Sequence, residues 1–182
     1  MSKLSIAISA EDHLQGDPAA ACTLVEYGDY QCPYCGEAYP LVKQLQKHFG
    51  DSLQFAFRNF PLAELHPWAE SAAETAEFAA AQGKFWEMHD LLYENQRSFG
   101  PAFFLQAGER LGLSSEALQI AVQEKTYRPR VRADFVGGVR SGVNGTPTFF
   151  INGDRYNGPS QFISLSGAIS RALEQPPPSG TE

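Results

Sequence analysis

Cys32-Pro33-Tyr34-Cys35 lies between a short apolar run, 22–27, and a helix-period pattern that reaches Gly50. No other feature constrains the fold as tightly. A strand must end just before the first cysteine and a helix must begin at it. The positive helix end then favours a thiolate on the first sulfur, the form that attacks disulfides. Cys32 is therefore the candidate nucleophile, expected exposed at the helix start. Cys35, one turn in and more buried, is the candidate resolving thiol. Pro33 restricts the loop and removes one competing N–H. The rival readings are two ordinary core cysteines or half of a zinc site. Zinc needs two further ligands, and Cys22, His13, His48, His66 and His89 offer no compact pair, so no metal is expected.

The rest of the chain frames that junction. Ala38, Leu41, Leu45 and Phe49 mark the helix after the cysteines, with Pro40 expected to kink it. Alternating Leu53, Phe55 and Phe57 predict a second strand over 52–59. A right-handed crossover would set the two strands parallel in one sheet. The next eighty residues or so read as helix. Small residues Ala69, Ala72, Ala73, Ala76 and Ala80 share a face, with Pro67 at the first helical position. Phe85, Met88 and Leu92 continue that spacing, and Phe104, Ala107 and Leu111 form a helix stopped by Gly112. Ser114 reads as an N-cap with a Leu113–Leu118 staple, and Val131, Phe135 and Val139 mark a helix ending near Gly142. Strand character returns at Thr148–Ile151, and Asn152-Gly153 predicts a hairpin turn into Arg155-Tyr156. Gly158-Pro159 opens a last helix bearing Phe162, Leu165, Ile169 and Leu173. These patterns divide the chain into an N-terminal extension (1–17), one domain built from 18–61 and 143–175, an inserted helical domain (62–142) and a flexible tail (176–182).

Composition narrows the function. A net charge of −7, from 21 acidic and 14 basic residues, argues against a nucleic-acid partner. Three cysteines are too few for a secreted disulfide scaffold of this size. No apolar run has the length of a membrane span, and the first residues lack a signal-peptide core. A cytoplasmic monomer is expected, with a periplasmic setting the alternative if the natural chain begins earlier. Glu26, six residues before Cys32, is a candidate buried acid that could carry the Cys35 proton; a solvated strand-face charge is the rival reading. Cys22 reads as a small core hydrophobe, with a redox role as the alternative. Tyr30, Tyr34 and Phe60 could line an apolar rim near Cys32 for an unfolded peptide. His66-Pro67-Trp68 and Trp86-Glu87-Met88-His89 read most simply as a helix start and core packing. Taken alone, Pro147 in Gly145-Thr146-Pro147-Thr148 is a proline at a strand start, which ladder geometry allows.

Glu26, the Cys32-Pro33-Tyr34-Cys35 loop, Pro40 and Thr146-Pro147 before a strand together resemble the thioredoxin fold. Segments 25–35 and 145–153 resemble its DsbA-like branch of thiol–disulfide oxidoreductases nearly throughout. Phe57-Arg58-Asn59-Phe60-Pro61-Leu62, His66-Pro67 and Gly83-Lys84-Phe85-Trp86 resemble that branch's insertion, so the likeness covers residues 18 to 174. It implies an α/β fold, a β-α-β … β-β-α mixed sheet with a helical domain inserted between its halves. It implies a redox-active Cys32–Cys35 pair, and Glu26 at the buried-acid position. Thr146-Pro147 would be a cis peptide facing the disulfide, excluding metal and offering the Thr146 backbone to an extended substrate. The partners implied are thiol- or disulfide-containing proteins or peptides and a redox partner, with no metal or organic cofactor. One departure bears on direction. The strongly oxidising periplasmic members carry Pro-His between the cysteines, whereas Pro33-Tyr34, a pair that also occurs in glutaredoxins, supplies no imidazole charge. A less oxidising couple is expected, acting as a reductant or a recycler of mixed disulfides. Two alternatives stay open: a glutathione-dependent enzyme, glutaredoxin- or glutathione-transferase-like, and a non-catalytic binding module on the same fold.

Overall fold

The computed structural model describes residues 2–174. The predicted flexible tail at 176–182 lies outside the described residues. β2 (Cys22–Gly28) is buried at every position but Thr23, and β3 (Leu53–Asn59) is buried throughout. Runs of that kind suit only the interior of a sheet. They are neighbours in a five-stranded sheet of order β1-β3-β2-β4-β5. β4 (Thr148–Ile151) runs antiparallel to β2, with Glu26 opposite Phe149 and Tyr27 opposite Thr148. β5 (Asp154–Arg155) closes one edge after Asn152 and Gly153, whose φ values of 48° and 84° are the left-handed pair that a two-residue hairpin requires. β1 (His13–Gln15) covers the other edge, antiparallel to β3. The sequence reading does not foresee β1, because three residues are too few to show alternation.

Among the described residues there are seven helices: α1 (Pro33–Phe49), α2 (Ala69–Ala80), α3 (Phe85–Glu94), α4 (Pro101–Arg110), α5 (Ser115–Gln123), α6 (Arg128–Arg140) and α7 (Phe162–Glu174). α1 continues through Pro40 as one element. Ser114 caps α5, its Oγ accepting from the Ala117 N–H at 3.2 Å. Gly83, at φ +72°, separates α2 from α3. α2 starts at Ala69 and not at Pro67, and the Trp68 N–H just before it donates to the Gln31 side chain at 2.6 Å. α7 likewise starts three residues after Pro159.

The chain forms two compact units. One holds the described residues of Met1–Tyr27, Glu37–Arg58 and Gly137–Glu182; the other holds Gly28–Gly36 and Asn59–Val136. The cysteine loop thus groups with the helices, where the sequence reading keeps 18–61 together. The first unit has a core of Leu24, Leu45, Phe55, Phe57, Phe150, Leu165 and Ile169, all buried. Its N-terminal segment is fixed by Arg58. That guanidinium donates to Asp12 at 2.7 and 2.9 Å, to the carbonyls of Ile6 and Ala7, and to Tyr27 Oη. In the second unit Asn59 donates from its backbone and side chain to Asp134 and from its side chain to Glu77. Burial pushes the Asp134 carboxyl up, partly offset by Arg130 beside it.

The Arg58 and Asp12 side chains are only 3% and 6% exposed, so removing Asp12 takes the carboxylate from a buried guanidinium. Asp12→Ala is expected to cost about 3 kcal/mol or more in urea unfolding. A cost below about 1 kcal/mol, the range of surface pairs, would contradict this clamp.

Candidate active site

β2 ends at Gly28 and the chain turns at Asp29. An aspartate just past a strand can accept from the backbone two residues on and so close a turn. Asp29 does this: Oδ1 accepts from the Gln31 N–H at 2.8 Å. Oδ2 accepts from the Leu62 N–H at 2.8 Å and lies 2.7 Å from His66 Nδ1. The Asp29 side chain is 0% exposed, so these protein donors stand in for water. Its backbone also serves the cysteines. The Asp29 carbonyl accepts from the Cys32 N–H at 3.1 Å, and the Asp29 N–H donates to Cys35 Sγ at 3.4 Å.

Cys32 immediately precedes α1, and its carbonyl accepts from the Gly36 N–H at 3.1 Å. The first turn of α1 carries no acidic residue to offset the helix dipole. Gln96 holds the loop from the other side, its Nε2 donating to the carbonyls of Tyr30 and Cys32 at 2.8 and 2.9 Å. Only glycine at position 36 leaves room for that amide, because a Cβ there would run into the Gln96 side chain. Gln31 Oε1 accepts from the Trp68 N–H and joins the loop to the start of α2.

Several sequence-predicted positions need correction. Cys32 is 3% exposed, against an expected open position, and its backbone is bonded to Asp29 and Gln96. Of the expected apolar rim only Tyr34 reaches solvent, at 69% exposure. Tyr30 is core, with its hydroxyl 3.0 Å from His89 Nδ1, and Phe60 stacks on Phe135 at 4.4 Å between ring centres. His66 is more than a helix start, since its imidazole meets Asp29. Cys35, with Pro33 and Tyr34, opens α1 and is fully buried. Glu26 is 2% exposed, which removes the solvated-charge reading. In that sheet unit the β2–β4 register brings Thr148 opposite Tyr27, so Thr146-Pro147 precedes the point where β4 meets the end of β2. The Thr146–Pro147 peptide is cis. Among the described residues no group of three or more His, Cys, Asp or Glu could hold a metal ion.

Asp29, Gln31 and Gln96 are the site residues that sequence reasoning misses. The Asp29 turn leaves a local trace, an aspartate two residues before Gln31, but nothing in the sequence pairs it with Leu62 and His66.

A family model described as Thioredoxin matches residues 9–171. BdbD from Bacillus subtilis, in an oxidised crystal structure, superimposes with a TM-score of 0.84 at 22% identity, over 96% of this chain and 100% of that one. A thioredoxin-like oxidoreductase from Silicibacter pomeroyi gives 0.77 at 25% identity, over 91% and 94% of the two chains. In sequence, 162 residues are 43% identical to the Na(+)/H(+) antiporter NhaA 3 of Salinispora tropica, 89% of this chain but 25% of that protein. This chain thus spans about a quarter of the length of the curated relatives it matches.

Cys22 is a thiol of another kind. It is fully buried, and burial pushes it up from 9.0 to about 11. A thiol raised on folding stabilises the fold fully below about pH 9 and loses that contribution as pH rises through about 11. Between these pH values wild-type unfolding free energy is expected to fall by about 2 kcal/mol more than that of Cys22→Ala. Parallel curves for the two proteins would contradict the burial effect.

Proposed function

We propose that this chain, which belongs to the thioredoxin family, is a thiol–disulfide oxidoreductase working through Cys32 and Cys35. One observation carries the reading: Cys32 stands at the start of α1 while Cys35, one turn in, has a backbone N–H on its sulfur. That arrangement supports two thiols with different tasks. Cys32 thiolate attacks a substrate disulfide, forms a mixed disulfide and expels the first substrate thiolate. Cys35 thiolate then attacks Cys32 Sγ, closing the Cys32–Cys35 disulfide and releasing the second substrate sulfur. The reverse sequence oxidises a substrate dithiol. No metal or organic cofactor enters either step.

Other residues take supporting roles in this proposal. Glu26, buried in β2, is the proton-carrying acid of this proposal. The Thr146 backbone before cis Pro147 pairs with an extended peptide. Because Tyr34 places no imidazolium beside Cys32, the couple runs as a reductant or a recycler of mixed disulfides. A cytoplasmic setting goes with that direction, since the glutathione pool there favours thiols. Protein or peptide disulfides are the substrates, a separate redox partner restores the dithiol, and the working form is a monomer. Among the described residues of this chain no helix is long and apolar enough to cross a membrane.

The test is turnover of a disulfide-bonded peptide with a thiol reductant. Cys32→Ser is expected to abolish it, and Cys35→Ser to accumulate a substrate adduct on Cys32, visible by mass. Retained turnover with glutathione mixed disulfides in Cys35→Ser would favour the glutathione route. Full function in the Cys32→Ser, Cys35→Ser double variant would favour a non-catalytic binding module.

A further inference from the structure

We propose that Asp29 and His66 are positioning residues for the resolving thiol, an inference that rests on the dithiol reading above. In the resolution step Cys35 thiolate attacks Cys32 Sγ of the mixed disulfide. The Cys32–Cys35 bond forms and the Cys32–substrate bond breaks. Its electron pair leaves on the substrate sulfur, which takes a proton from water. The attacking sulfur must be anionic and held in place.

The Asp29 N–H meets both needs, because a donor aimed at sulfur favours the anion. One N–H can do this only if its peptide plane cannot turn. The Gly28 carbonyl at the other end of that plane accepts from the Phe60 N–H at 2.8 Å, and the Asp29 carboxylate anchors the plane at its Cα by accepting from the Gln31 and Leu62 N–H groups and from His66 Nδ1–H. These donors come from two separate chain segments. With the side chain 0% exposed, water cannot replace a lost donor. His66 is 19% exposed at its side chain and supplies the charge-assisted bond that completes the set.

Asp29→Asn is the sharp substitution. Asn has one acceptor oxygen where Asp has two, and the oxygens of Asp29 face different backbone donors. Whichever way the amide sits, its NH₂ opposes either the Gln31 or the Leu62 N–H. The peptide plane loosens, and the cost falls on the step that uses Cys35 sulfur.

Both steps can be timed with oxidised glutathione as the probe. The reduced full-length chain is mixed with it, quenched in acid and weighed by mass spectrometry. Cys32 gains one glutathione as the other leaves, and resolution by Cys35 then releases the bound one. The Cys35→Ser background reports the first step alone. Asp29→Asn is expected to slow resolution about tenfold while the first step changes by less than about threefold. His66→Ala is expected to slow resolution by about threefold, and His66→Gln, which keeps a donor, to lie nearer the wild type. An equal fall in both steps, or no change in either, would overturn the proposal. Should Asp29→Asn fail to fold, His66→Ala decides, and wild-type resolution in that variant is the overturning result. A wild-type chain that keeps its glutathione adduct unresolved would remove the dithiol reading, and the proposal with it, whatever Asp29 does.

Discussion

A carboxylate without water must be surrounded by donors, and Asp29 is such a carboxylate. Its donors are Gln31, Leu62 and His66, so one charge holds the turn after β2 against the segment that leaves β3. The same residue carries the carbonyl that accepts from Cys32 and the N–H that donates to Cys35. The cysteine loop is thus organised around a residue outside the motif. Gln96 completes it from beyond α3, and Gly36 is the small residue that lets Gln96 approach.

Buried polar groups play the same part elsewhere. Arg58 and Asn59 are adjacent at the end of β3 and feed different networks. Arg58 binds Asp12, Tyr27 and two N-terminal carbonyls, which turns the first residues into part of the sheet unit. Asn59 binds Asp134 and Glu77 and joins the strand exit to α2 and α6 in the helical unit. Apolar burial supplies most of the stability of such a fold, but it is non-directional. Hydrogen-bonded charges are directional, which suits them to fixing where a loop sits.

How much of this was legible in the sequence depends on range. The strand–cysteine–helix junction, the Ser114 cap and the Asn152-Gly153 hairpin are each written in a few consecutive residues, and the structure has all three. The β-α-β and β-β-α halves follow from periodicity in the same way. β1 escaped because it is three residues long and owes its place to Arg58 and to pairing with β3. Tyr30 and Phe60 looked like rim residues because aromatic character alone cannot distinguish a surface contact from a core one. Their partners, His89 and Phe135, lie far along the chain. Cys32 looked exposed for a related reason, since helix-start position predicts electrostatics but not what Gln96 does to the backbone. His66 carried a proline after it and so read as a helix start, when its imidazole was the long-range partner of Asp29.

The central claim is that Cys32 and Cys35 form one reversible two-electron couple while Cys22 stands apart. Equilibrating the chain in glutathione buffers of graded ratio, then acid-quenching, alkylating and weighing each cysteine peptide, tests it directly. The account predicts that Cys32 and Cys35 lose their thiols together in a single transition, with a midpoint near about −230 to −270 mV, and that Cys22 stays a thiol throughout. No transition at any ratio, or a disulfide that includes Cys22, would contradict the claim. A midpoint near about −120 mV would keep the couple but reverse its direction.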